Sequence, residues 1–214
     1  MRMLKHISAM VATVAFLAFA GPSTLSAADA VTITPEIEAS LKKAEAYLDD
    51  IKTMQAEFLQ ISSNGETTTG DILLSRPKNL RIEYDPPTPI LIVANGEYLS
   101  YVDTELKQVN HIPLEDTPAA FLLRDSFSFT DGKLVVTGFE KAANTLRISV
   151  VQRKDPLAGE LTLVFNDNPM VLRKWVIIDA QGIMTDLTLT NARFDFPIPD
   201  SKFLGNFPEF DLNR

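Results

Sequence analysis

The chain has 214 residues, 45% of them hydrophobic, a formal charge of −8 at neutral pH, no cysteine and only two histidines. Those counts exclude thiol nucleophiles, zinc thiolates, disulfides and an acylated N-terminal cysteine. The acidic balance opposes nucleic acid or an anionic membrane as a partner.

Met1 to about Ala28 reads as a signal peptide that is removed. Arg2 and Lys5 form its basic start, Ile7 to Ala20 an apolar stretch too short to span a bilayer, and Ser26-Ala27-Ala28 or Ala28-Asp29-Ala30 a small-residue cleavage site. The expectation is export to a bacterial periplasm as a soluble, unanchored monomer. Residues 29–214 contain no repeat or linker and suit a single domain.

Thr34 as N-cap and Pro35 at the first helical position predict a helix to about Asp50, with Ile37, Leu41, Ala44, Leu48 and Ile51 on one face. Met54 to Ile61 then alternates as a strand with Met54, Ala56 and Phe58 inward, ending at Ser62-Ser63-Asn64-Gly65.

The stretch Gly70 to Asp103 organises the rest, packing three or four strands with almost no spare residues. From Leu80 to Tyr84 the apolar Leu80, Ile82 and Tyr84 alternate with Arg81 and Glu83, as a half-buried antiparallel strand requires. In the preceding strand the same period places Ile72 and Leu74 on the apolar side and carries Arg76 onto that side at the strand end, where Pro77 forces the turn. Two readings of Arg76 follow. Its stem covers apolar surface while the guanidinium reaches water, or the desolvated guanidinium takes several acceptors, for which the free carbonyls ending a nearby short helix are natural candidates. Asn95-Gly96 between two apolar runs predicts a hairpin.

A short strand near Gln108 to Ile112 follows. Thr117-Pro118 repeats the cap signal and opens a very short helix, Ala119 to Arg124, apolar almost all round; Phe121, Leu122 and Leu123 read as core or as a hinged element. Strands are predicted at Leu134 to Phe139, Thr145 to Gln152, Glu160 to Asn166, Val171 to Asp179 and Ile183 to Thr190, with turns at Asp167-Asn168-Pro169 and Gln181-Gly182. The tail, with Phe194, Phe196, Phe203, Phe207 and Phe210, is too aromatic for a free end and is expected to dock on the sheet. The fold class is mainly β with short α: an unclosed antiparallel half-barrel of about 10 to 11 strands under a helical lid.

No G-x-S-x-G, P-loop or G-x-G-x-x-G occurs, and no cofactor or metal is implied. The carboxylate pairs Asp103/Glu105 and Glu115/Asp116 read as solvated loops, and His111 as a surface or packed histidine, so no catalytic residue is assigned and the chain is not expected to be an enzyme.

These residues together resemble the LolA family of periplasmic outer-membrane lipoprotein carriers. The resemblance rests on Met54-Gln55-Ala56-Glu57-Phe58-Leu59-Gln60, on Gly70-Asp71 through Leu74-Ser75-Arg76-Pro77, on Pro89 through Asn95-Gly96 to Tyr101, and on Thr117-Pro118 to Leu123-Arg124, in that order and spacing. It implies an unclosed barrel covered by a helical lid, with Arg76 latching the lid over an empty cavity. The acyl-cavity lining would be Met54, Phe58, Ile72, Leu74, Leu80, Ile82, Tyr84 and Tyr101, and the lid helix Phe121, Leu122 and Leu123. It also implies acylated lipoproteins as cargo, an inner-membrane ABC-type release complex (LolCDE-like) as donor, and a LolB-like outer-membrane acceptor or the outer membrane itself as recipient. Ser100 and Leu73 stand where the family commonly has tryptophan, which predicts a different cavity outline. LolB shares the fold but is a lipoprotein, and the missing cysteine argues against it. A binder or sensor of another lipid or amphiphile on the same fold is the alternative.

Overall fold

The computed structural model describes residues 30–204 except Asn64 and Pro118. The expected signal peptide, the Pro118 helix start, Phe207 and Phe210 lie outside the described residues. The first element is helix α1, Pro35–Asp50. Strands β1 Thr53–Ser62, β2 Thr67–Ser75, β3 Asn79–Tyr84, β4 Ile90–Asn95, β5 Tyr98–Asp103 and β6 Gln108–Pro113 follow. A 3-10 turn, Leu114–Asp116, leads into helix α2, Ala119–Leu122. Strands β7 Leu134–Ala142, β8 Thr145–Gln152, β9 Gly159–Asp167, β10 Met170–Asp179 and β11 Met184–Phe194, then a 3-10 turn Asp200–Phe203, complete the order.

The eleven strands form one antiparallel sheet in the order β6-β5-β4-β3-β2-β1-β11-β10-β9-β8-β7. Two sequential meanders therefore meet at a single seam, where β1 pairs β11. Among the described residues β6 and β7 end the sheet unpaired with each other, so the barrel is open. One-residue register shifts fall at Asn191–Ala192 of β11, Arg173 of β10 and Thr137 of β7. Such bulges increase twist and bend the strand that holds them, which curls the second half of the sheet. Gly70 marks another close approach: a Cβ there would lie 2.1 Å from Glu83 O and 2.8 Å from the Phe58 ring, which therefore sits directly over the glycine.

Register sets the inner face. Ala56, Ile72, Ile82, Ile92 and Tyr101 stand in one cross-strand row, and Met54, Leu74, Leu80, Ala94 and Leu99 in the next. Helix α1 begins at Thr34, whose Oγ1 accepts from Ile37 N at 3.3 Å, and buries Ser40, Leu41, Ala44 and Leu48 against this face. Its placement is fixed on the β9–β10 side. Lys43 Nζ donates to Asp167 O and Oδ1 at 2.7 and 2.8 Å, and Leu172 N donates to Tyr47 Oη at 3.1 Å.

The sequence expectation for the second helix needs shortening. Helix α2 spans four residues, and the Thr117 hydroxyl donates backward to Leu114 O at 2.8 Å, bonding to the preceding turn. The outer face has its own small cluster of Leu91, Val93 and Val102. The Asp200–Phe203 turn packs across β3 and β4 and buries Phe203, so this part of the aromatic tail docks as its composition predicts.

Candidate functional site

The alternation in β1, β2 and β3 puts Met54, Phe58, Ile72, Leu74 and Leu80 on the inner face, where all are buried in one continuous apolar cluster with α1 and α2. Ile82 and Tyr84 pack against that cluster from its margin. Tyr101 lies in the same row but 38% exposed, so a strip from Ile82 through Ile92 to Tyr101 continues the apolar face beyond its covering. Tyr84 Oη donates to Gln60 Oε1 at 2.6 Å and its ring meets Phe58 edge-on at 5.2 Å; burial pushes its phenol up to about 12. In this conformation the chain's own side chains occupy the concave face. Two clefts of about 760 and 620 Å³ open beside α2 instead, the first between the β2–β3 and β4–β5 turns and Arg124, the second between Phe121 and Arg153.

Arg76 is the polar exception in this apolar setting. Its side chain is 5% exposed, which decides between the two sequence readings: the guanidinium does not reach water. Nε donates to Arg124 O at 2.9 Å, just beyond α2. Nη1 donates to Leu48 O, and to Ile51 O at 3.3 Å, both at the end of α1. Nη2 makes no hydrogen bond and lies 3.5 Å from Asp49 Oδ1, at ion-pair distance. Burial lowers the Arg76 pKa, and Asp49 and then Asp125 oppose that shift. A guanidinium stays protonated even so, because its ordinary pKa lies far above neutrality.

The acceptor set enlarges the sequence expectation, which gave Arg76 the carbonyls of the short helix alone. Helix α1 ends in Asp49 and Asp50 with no basic residue in its last turn and Ile51 as C-cap. Just beyond the cap, Lys52 Nζ donates to Asp49 O at 2.6 Å, which leaves Leu48 O and Ile51 O at the negative dipole end for a cation from elsewhere in the chain. That acidic, glycine-free ending is the sequence signal for an external arginine. One side chain from the β2–β3 turn therefore ties the end of α1 to the end of α2.

Helix α2 is otherwise held lightly. Phe121, Leu122 and Leu123 are buried, Arg124 stacks over the Phe121 ring at 5.1 Å, and Lys78 N donates to Leu123 O at 2.9 Å. A four-residue helix has no stability of its own, so these contacts determine where it sits. Downstream, residues 125–131 cross back over α1. Phe127 N donates to Asp49 Oδ1 and Phe129 N to Glu45 Oε1, each at 2.6 Å. Both phenyl rings are buried, a cover that the sequence reading did not assign.

The other candidates lie apart. Asp103 Oδ1 accepts from Glu105 N and Leu106 N within its turn, Asp116 pairs with Lys154 at 3.1 Å, and exposed His111 bonds Ser100 Oγ at 2.9 Å. Among the described residues no group of three or more His, Cys, Asp or Glu is placed to hold a metal, and no helix is long and apolar enough to cross a membrane. Ser100 and Leu73 face outward, opposite Val93 and Arg81 in register. The expectation that they reshape the cavity is therefore corrected, since a side chain one residue off the inner set points to the other face.

Residues 49–204 match the family model "Outer membrane lipoprotein carrier protein LolA". An outer-membrane lipoprotein carrier protein of Azotobacter vinelandii is 30% identical over 181 residues, covering 76% of this chain and 86% of the relative. An uncharacterized protein of Rickettsia prowazekii is 29% identical over 145 residues, covering 68% and 67%. The crystal structure of a LolA superfamily protein from Nitrosomonas europaea covers 78% of this chain and 96% of its own, at 13% identity and a TM-score of 0.46.

Proposed function

The chain belongs to the LolA family of outer membrane lipoprotein carrier proteins, and on that premise we propose that it is a periplasmic chaperone that covers the acyl chains of lipoproteins on their way from the inner to the outer membrane. Each buried methylene contributes about 0.8 kcal/mol, so an acylated protein leaves a bilayer for water too slowly to be useful without a partner that shields its chains. The concave face offers Met, Leu, Ile and Phe without a charged lining, which suits non-directional and adaptable binding. Its cargo comes from an inner-membrane ABC-type complex of the LolCDE kind and passes to a LolB-like acceptor or to the outer membrane itself.

The observation that supports this reading best is the buried Arg76, bonded at once to the ends of α1 and α2 over an apolar face. Loading requires the helices to move off that face, and moving them breaks charge-assisted bonds worth about 1.5 to 3 kcal/mol each. The latch is comparable with the few kcal/mol that separate two conformers. It holds the empty form shut, opposes loading and favours release. Native mass spectrometry of the protein purified from its own periplasm tests the proposal: a lipoprotein adduct is expected, and a small-lipid adduct in its place would make it a binder of another amphiphile.

A further inference from the structure

The cover over the concave face is not uniform in how it is held. Residues of β1 to β3 and β8 to β11 reach the core from hydrogen-bonded ladders, and moving them means unzipping the sheet. Residues 125–131 have no ladder. Among the described residues, the main-chain donors of this strap bond to side chains: Phe127 N to Asp49 Oδ1, Phe129 N to Glu45 Oε1, and Thr130 N to Ser128 Oγ at 3.2 Å. Ser128 Oγ adds a bond to Glu45 Oε1 at 3.1 Å. Glu45 and Asp49 stand four residues apart, hence on one flank of α1, and act as two pegs for one strap.

The strap carries two rings into the core. Phe127 is 4% and Phe129 2% exposed, and they meet edge-on at 4.9 Å. Phe129 also lines a small cavity of about 220 Å³ with Leu134 and Val136 of the terminal strand β7, whose Val136 O accepts from Val31 N at 2.8 Å. Two phenyl side chains bury about 300 to 500 Å², which on the same area scale equals on the order of 10 to 15 methylenes. That is the apolar surface of one long acyl chain.

Resting on the carrier reading above, we infer that the space filled by Phe127 and Phe129 is a binding subsite for one saturated acyl chain of the cargo, and that Glu45 and Asp49 set how readily the rings vacate it. An entering chain replaces the rings in kind, methylene area for aromatic area. What the exchange must break is the pair of carboxylate bonds to the strap's main chain. The strap is thus an internal competitor for cargo; its Asp49 peg is shared with Arg76, whose Nη2 lies 3.5 Å from the same Oδ1, whereas its Glu45 peg is independent of Arg76.

The test uses the mature protein, a synthetic peptide with an N-terminal dipalmitoylated glyceryl-cysteine, and its unacylated twin. Amide hydrogen exchange at Phe127 and Phe129 is read beside Ile72 as an internal standard. The acylated peptide should speed exchange at the two strap amides by tenfold or more while Ile72 stays protected, and the unacylated twin should change nothing. Glu45→Gln leaves the Arg76 contacts in place and weakens one peg; it should speed exchange at Phe129 in the free protein and tighten acylated-peptide binding on the order of tenfold. Bound acylated peptide with both strap amides still protected, or unchanged affinity in Glu45→Gln, overturns the subsite and leaves the carrier function standing. No binding of acylated peptide at all overturns the carrier reading, and the subsite with it.

Discussion

Arg76 acts on two elements at once, and its replacement has two separable effects. Arg76→Leu keeps an apolar stem but leaves Leu48 O, Ile51 O and Arg124 O without their donor, so the free protein should lose on the order of 2 to 4 kcal/mol of stability, read as a lower melting temperature. If Arg76 is the proposed latch, the same change should also let bound cargo leave more slowly and reduce transfer to acceptor membranes. Arg76→Lys should fall between, because a point charge cannot span two carbonyls as a planar fork does. Equal off-rates in all three proteins would leave Arg76 a structural residue; faster release from the leucine variant would reverse its role. Gly70 gives a second prediction at this scale. A methyl group there meets Glu83 O and the Phe58 ring at under 3 Å, so Gly70→Ala should destabilise the fold by about 1 to 3 kcal/mol through overpacking, and a melt within error of wild type would show that the β3 backbone and the ring both give way freely.

At the scale of elements, α1 is fastened at two points by different chemistry: Lys43 with Asp167 halfway along, Arg76 at its finish. The hydrogen bond from Lys43 holds the Asp167 carboxyl below its usual range against a smaller opposing effect of desolvation. A lowered folded-state pKa contributes stability above the unfolded value near pH 3.9 and loses it as pH falls through the folded one. Asp167→Asn should therefore lower the melting temperature at pH 7 and flatten the acid limb of the stability curve; an unchanged limb would assign acid sensitivity to other carboxylates. The elements themselves were largely legible. Helix α1 was readable from Thr34, Pro35 and its apolar spacing, and the strands from period-two alternation, because each signal is local. The strap was not. Phe127-Ser128-Phe129 is too short to mark a strand, and its partners Glu45 and Asp49 lie some eighty residues away, a relation that no local pattern encodes. The split of Arg76 between two helices was half legible: the inward register of the arginine showed in β2, whereas its second set of acceptors depended on how α1 ended.

For the whole molecule, the expected behaviour is that of an unacylated monomer released by osmotic shock, which sedimentation with washed membranes at moderate salt would contradict. An environment-sensitive apolar dye should bind weakly to the latched protein, more strongly to Arg76→Leu, and yield to acylated but not unacylated peptide. Ile72→Ala separates lining from core: a loss of 2 to 5 kcal/mol with dye binding unaltered would mark Ile72 as packing alone. The seam between β1 and β11 has a further consequence, for the order of events when the protein is made. All other strand pairings join neighbours in sequence and can form as short hairpins, but Met54 meets Phe194 only after nearly the whole chain is available. Closing so long a loop costs entropy before any contact compensates it, and folds dominated by such pairings form in milliseconds to seconds. A chain threaded through a membrane from its N-terminus would thus present two half-sheets with open edges and no common interior until β11 arrives. The concave face is complete only with the last strand, so if it holds acyl chains as proposed, a nascent or truncated chain should capture no cargo before it is whole.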